Sequence, residues 1–226
     1  MKRRFWITGA GHGLGLALVE ELLAQGHTVT ASGKDSQELH TLGQGYGTRL
    51  LRLSGPLQDA SHQLRAQSDA LDALIINAGT CDYLPDNLAD KDLFEQIASS
   101  NLQATHQCLA AALPLLAKGK KPQVMAILSR YSALQLFEPN QPLTGGNSLP
   151  TWLNEQRATL QTLGIDLTVV APQLLKSPVT SAQAVPEPWS AQSAAQELLS
   201  RLEQRQPQLV LEVLKPSELW PLPENS

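Results

Sequence analysis

What this chain lacks narrows its class before any motif is read. Cysteine is scarce: Cys81 and Cys108 are the two in 226 residues. That is too few for a disulfide scaffold and fits a reducing, cytoplasmic setting. Neither has an obvious histidine or metal-ligand partner, so structural thiols are expected and no metal site. An excess of positive charge is also missing. With 17 basic and 21 acidic residues the net charge is −4, and the charges are scattered, without the basic stripe of a nucleic-acid binder. No apolar run nears the roughly 18 residues of a membrane span. The basic start through Trp6 is followed by only a short apolar stretch before Gly9, unlike a secretory signal. Internal repeats and low-complexity tracts are absent. What remains is 42% hydrophobic content, enough to build one packed domain. One domain is expected over 1–226, with a short Pro-rich tail at 215–226.

The most informative stretch present is Thr8-Gly9-Ala10-Gly11-His12-Gly13-Leu14-Gly15. Before it, Arg4-Phe5-Trp6-Ile7 reads as a buried strand. After it, Leu14, Ala17, Leu18 and Leu22 fall at helical spacing up to Gln25-Gly26. A strand, a glycine-rich turn and a helix start make a phosphate cradle. Glycines let the backbone approach a pyrophosphate, and the helix N–H groups favour its charge.

Strand and helix patterns then alternate. Strands are expected at His27–Ser32, Thr48–Leu53, Ala73–Ile76, Val124–Leu128, Asp166–Ala171 and Leu209–Leu214. Helices are expected at Asp35–Leu42, Leu57 to about Asp69, and Asp90–Leu116 (Asp90 and Asp92 suiting the helix start). A helix capped by Ser148 carries Trp152, Leu153, Leu160 and Leu163 on its apolar face, and another follows Ser190. Lys176–Trp189 reads as a loop. The alternation predicts an α/β, doubly wound parallel sheet of about seven strands with helices on both faces.

With the elements placed, the motifs resemble those of the short-chain dehydrogenase/reductase family. Thr8, Gly9, Gly13 and Gly15 match its Thr-Gly-x-x-x-Gly-x-Gly. Asn77-Ala78-Gly79 match its Asn-Ala-Gly signature, which steadies the sheet beside the cofactor. Asn101 matches the helix asparagine that holds a relay water, and Ser129 the substrate-orienting serine. The resemblance implies an NAD(P)-binding oxidoreductase of Rossmann type, with a small carbonyl compound as substrate. It places the cofactor on Gly9, Gly11, His12, Gly13, Leu14, Gly15, Lys34, Asn77, Ala78 and Gly79. Lys34, after the second strand, favours NADP over NAD by meeting a 2′-phosphate, unless it is only a solvated loop lysine. Asp35 is its neighbour. A homodimer or higher homo-oligomer is also implied, through the fourth and fifth helices.

The resemblance fails at the chemistry. The family's Tyr-x-x-x-Lys pair supplies the acid or base and the cation that tunes it. Counting forward from Ser129 and back from Gly164-Ile165 lands on Pro142 or Leu143 for the tyrosine, and on Gly146 or Asn147 for the lysine. Neither titratable group is there, and a proline with two glycines disfavours the helix that normally presents them. The family's Pro-Gly after strand six reads Pro172-Gln173. The adenine-seating aspartate after strand three gives way to Gly55-Pro56, although Asp59 follows. Three readings stay open: a nucleotide-binding protein without classical turnover, a reductase with an unusual donor such as Tyr131, or a cofactor-free structural or regulatory partner of another protein.

Overall fold

The computed structural model describes residues 2–53, 55–77, 91–128, 148–172 and 190–211. Its elements in chain order are β1 (Arg4–Thr8), α1 (Gly13–Ala24), β2 (Thr28–Ser32), α2 (Gln37–Tyr46), a tight turn at Gly47–Arg49, β3 (Leu50–Leu53) and α3 (Leu57–Gln67). There follow β4 (Ala73–Ile76), α4 (Lys91–Leu116), β5 (Gln123–Ile127), α5 (Leu149–Thr162), β6 (Asp166–Pro172), α6 (Ala191–Leu202) and β7 (Gln208–Leu211). The strands form a single seven-stranded sheet in the order β3-β2-β1-β4-β5-β6-β7. Every neighbouring pair is parallel. The chain therefore winds outward from β1 in one direction and from β4 in the other. The two halves part between β1 and β4, where an open α/β sheet has its crevice at the strands' carboxyl ends.

Because both faces are covered, the central strands are apolar on successive residues rather than alternate ones. Phe5 and Ile7 of β1, with Ile75 and Met125, pack under α1 and α6. Trp6, Leu74 and Val124 point the other way, beneath α3, α4 and α5. Trp6 is wholly buried, and its indole N–H donates to Ser32 Oγ at 2.9 Å. The largest apolar side chain of the core is thus also polar-satisfied, as a buried tryptophan requires.

Element boundaries follow local chemistry. Helix α2 begins later than expected, because Ser36 accepts from the Leu39 N–H and caps it. β3 loses its first residues to the tight turn, which lets Arg49 donate to the Leu23 carbonyl at 3.0 Å near the end of α1. Ser148 caps α5 as expected, accepting from Thr151 N–H at 3.3 Å. Leu163 departs from the expectation: it lies past the last helical residue and is 51% exposed. Ser190 and Ser193 bond reciprocally at the start of α6. Tyr131, Cys81 and the segment expected to replace the Tyr-x-x-x-Lys pair lie outside the described residues.

Helix α4 carries Pro114 within its last turns. Proline has no N–H, so the carbonyl of Ala110, four residues earlier, loses its helical donor. Arg65 of α3 donates to that carbonyl at 3.1 Å. One residue's missing donor is thereby supplied by a neighbouring helix.

Candidate functional site

The carboxyl ends of β1, β2 and β4 meet at one place. β1 delivers the chain into Gly9, where φ is +63°, and α1 begins at Gly13, where φ is +52°. These backbone angles strain any residue with a Cβ. His12 precedes the helix in an extended conformation and makes no side-chain cap. The first intrahelical N–H groups have no partner within their own helix, and the first turn of α1 holds no acidic residue. What faces outward is therefore a set of backbone donors at the positive end of a helix dipole.

The glycines divide into two kinds. Gly13 is exposed, and a Cβ on it would meet nothing within 4 Å. Gly15 is buried, and a Cβ on it would lie 2.0 Å from the Gly9 carbonyl oxygen and 2.8 Å from Asn77 Nδ2. A Cβ on Gly11 would lie 2.2 Å from the Lys34 carbonyl oxygen. Gly13 thus leaves the mouth open, Gly15 lets helix and turn touch, and Gly11 lets the first loop rest on the second. Ala10 N–H donates to the Ser32 carbonyl at 3.1 Å, completing that junction.

Asn77 fastens β4 to the same turn. Its Nδ2 donates to the Gly9 carbonyl at 3.2 Å, and its backbone N–H donates to Thr8 Oγ1 at 3.1 Å. The structure therefore brings Gly9, Gly11, His12, Gly13, Leu14, Gly15, Lys34 and Asn77 to one junction at the carboxyl ends of β1, β2 and β4. Their parts in it differ. The Leu14 side chain is buried in the core, leaving its backbone N–H as the group available to a ligand. His12 and Lys34 are exposed. Asn101 is buried within α4 at 5% exposure. Ala78, Gly79 and Ser129 lie outside the described residues. Asp59, in the first turn of α3, faces Gly55, with its Oδ2 3.8 Å from where a Cβ would stand.

Sequence reasoning missed a cluster beside this opening. Arg52 of β3 donates from Nη1 to His40 Nδ1 at 3.0 Å and stands 3.7 Å from Asp35 Oδ1. Its sequence signal is an arginine inside the otherwise aliphatic strand Leu50-Leu51-Arg52-Leu53. Elsewhere, burial pushes the Cys108 thiol up to about 12, which leaves it an inert core residue. Among the described residues no group of His, Cys, Asp or Glu is placed to hold a metal ion. No described helix is long and apolar enough to cross a membrane.

A parallel sheet divided between β1 and β4, with an open glycine turn at the division, defines the doubly wound Rossmann class. Within that class, the model of the short chain dehydrogenases matches residues 4–185, and the chain belongs to that family. A cis-2,3-dihydrobiphenyl-2,3-diol dehydrogenase of a Pseudomonas species is 29% identical over 133 residues, covering 54% of this chain and 48% of that protein. A 3-phenylpropionate-dihydrodiol/cinnamic acid-dihydrodiol dehydrogenase of Escherichia coli is 36% identical over 84 residues, covering 34% and 31%. The first match shows that the chain spans about half the length of the curated relatives it resembles. Among solved structures, a short chain dehydrogenase from Burkholderia cenocepacia in complex with NADP superposes with a TM-score of 0.72 at 20% identity, covering 94% of this chain and 89% of that one. A carbonyl reductase from Pseudomonas aeruginosa in complex with NADP gives 0.70 at 22% identity, covering 93% and 96%. At such identities the likeness is one of fold.

Proposed function

We propose that this chain binds NADP(H) in the cradle of Gly9–Gly15 and Asn77, and that it does so without the family's ordinary Tyr/Lys-dependent turnover of carbonyls and alcohols. The observation that carries the binding half is the division of labour among the glycines. Where the helix meets the turn, a Cβ would collide at 2.0 Å, yet at Gly13 a Cβ would meet nothing within 4 Å. The left-handed backbone at Gly13 favours glycine there, so no side chain stands at the exposed start of the helix. The residues present therefore fit a dinucleotide. The first-turn amides of α1 hold its pyrophosphate, and Asn77 keeps β4 and the turn in register. Lys34, whose backbone carbonyl lies against Gly11, brings a cation to the loop that would meet a 2′-phosphate. When bound, such a cofactor donates or accepts a hydride.

The catalytic half rests on the sequence between β5 and α5. Residues 141–148 read Gln-Pro-Leu-Thr-Gly-Gly-Asn-Ser, and the chain's three tyrosines, Tyr46, Tyr83 and Tyr131, all precede it. No side chain of that stretch titrates where a proton donor of the family would. Asn101, and Ser129 by its sequence position, are the remnants of the family's machinery.

The test is a titration of the full chain with NADPH and NADH, read by cofactor fluorescence and by melting temperature. Saturable binding that favours NADPH is expected, with about 2.7 kcal/mol of added stability at a hundred times Kd. Gly13→Asp sets a carboxylate before the helix amides and is expected to abolish binding while the fold persists, at a cost of about 1–2 kcal/mol for the left-handed backbone. No shift in the wild type at millimolar cofactor overturns the binding half. A cis-dihydrodiol, the class named for the relatives, and a reactive aldehyde are the substrates to assay. Turnover at rates usual for enzymes, about 1–1000 per second, overturns the catalytic half.

A further inference from the structure

The cluster of Arg52, His40 and Asp35 is built, and nothing in the nucleotide reading uses it. Arg52 leaves β3 and lies across α2 at Gly43, where a Cβ would stand 3.1 Å from Arg52 Nε. Glycine inside a helix is costly, and here its bare face makes room for the guanidinium. Two groups then fix that guanidinium. Arg52 has only N–H donors, so Nδ1 of His40 accepts at 3.0 Å. The other ring nitrogen, Nε2, lies 3.2 Å from the Gln44 amide nitrogen. The other contact is Asp35 at 3.7 Å, whose side chain is 69% exposed against 33% for Arg52.

The place of Asp35 gives the cluster its meaning. Gly33 and Lys34 are packed directly on the glycine turn: a Cβ on Gly33 would lie 3.0 Å from Ala10 N, and the Lys34 carbonyl fills the space beside Gly11. Asp35 is the next residue. Its exposed carboxylate thus belongs to the same loop that, in the nucleotide reading, meets the ribose end of an adenosine nucleotide. Left alone, that charge opposes a 2′-phosphate. Paired with Arg52, it does not.

We propose that Arg52, acting through Asp35, sets the preference of this site between 2′-phosphorylated and unphosphorylated adenosine nucleotides. This rests on the reading of Gly9–Gly15 as a nucleotide cradle. Arg52 is a positioning residue here: it neutralises and holds the carboxylate, and it keeps a cation near Lys34. A carboxylate several ångströms from a dianion in water weakens its binding about fivefold.

The experiment is calorimetric titration of the full chain with 2′-phospho-AMP and with AMP, for the wild type, Arg52→Met, Arg52→Lys, Asp35→Asn and the double variant Arg52→Met/Asp35→Asn. The wild type is expected to prefer 2′-phospho-AMP. Arg52→Met is expected to lose about fivefold for 2′-phospho-AMP, with AMP unchanged within about twofold. Adding Asp35→Asn restores most of that loss, and Arg52→Lys retains the preference. These two rescues separate charge from mere packing, which would weaken both ligands together. Equal loss for both ligands, an unchanged ratio in Arg52→Met, or no recovery in the double variant overturns the proposal while the cradle stands. Binding of neither ligand by the folded wild type overturns the cradle and the proposal with it.

Discussion

At the head of β4, Asp72 is 3% exposed and serves three donors. It accepts from the Arg4 N–H at 2.8 Å and the Lys120 N–H at 2.7 Å, and pairs with the Arg4 guanidinium at 3.3 Å. Burial pushes its pKa up, but the hydrogen bonds from Arg4 and Lys120 and the charge of Arg4 outweigh this and hold it below the usual carboxylate range. A folded pKa below the unfolded one means stability that is present above about pH 4 and lost as pH falls through the folded value. His27 also has a lowered pKa, from burial first and the neighbouring Arg3 charge second. Its contribution is full above its ordinary value near 6.5 and declines as pH falls below that, so its loss begins at a higher pH than that of Asp72. Asp72→Asn presents amide protons to backbone donors and is expected to cost about 2–3 kcal/mol at pH 7. Urea unfolding should show the gap between wild type and variant narrowing as pH falls below about 4. A gap that stays constant as pH falls below about 4 contradicts an ionised Asp72 as its source.

Between elements, Pro114 and Arg65 show how one chain position is answered by another. The Ala110 carbonyl lacks its helical donor because of Pro114 and is served by Arg65 at 3.1 Å. Arg65→Gln is expected to cost about 1 kcal/mol in the wild type and less than half that once Pro114→Ala restores an N–H within α4. Equal costs in both backgrounds would show that Arg65 acts by some other contact. The same scale explains what could be read from the sequence. β1, β4 and β5 are buried on both faces, so Phe5-Trp6-Ile7, Ala73–Ile76 and Val124–Leu128 stand out as apolar runs. Caps written locally, such as Ser148 and Ser190, also announce themselves. The errors fall where tertiary contacts decide: Leu163 keeps helical spacing yet lies beyond the end of α5, and the expected start of β3 at Thr48 is taken by the turn from which Arg49 reaches α1. The cradle was legible because its glycines fall within one short stretch, Gly9 to Gly15. Arg52, His40 and Asp35 were not, because three distant positions meet only when β3 packs against α2.

In the whole molecule, the two edges of the sheet do different work. The carboxyl edge holds the glycine turn, Lys34 and Asn77, where backbone donors face outward. The amino edge is closed on itself. Arg3 donates to the Asp72 carbonyl at 3.1 Å and to Gln123 Oε1 at 2.7 Å, and Gln123 donates onward to the Leu202 carbonyl at 2.7 Å. Arg205 binds Asp166 and the Lys121 carbonyl. Arg157 of α5 joins the Leu167 and Pro207 carbonyls at 2.6 and 2.9 Å, tying β6 to the approach to β7. These bonds engage described polar groups of that edge with the fold itself, whereas at the opposite edge the first-turn amides of α1 have no partner within their own helix. A dinucleotide bound as proposed should therefore slow amide exchange on one edge only. With saturating NADPH, hydrogen exchange is expected to fall at residues 9–16, 33–36 and 77, and to stay unchanged at 118–123 and 203–207. Protection spread evenly over both edges would signal general stiffening on binding, and protection confined to the amino edge would move the nucleotide away from the glycine turn altogether.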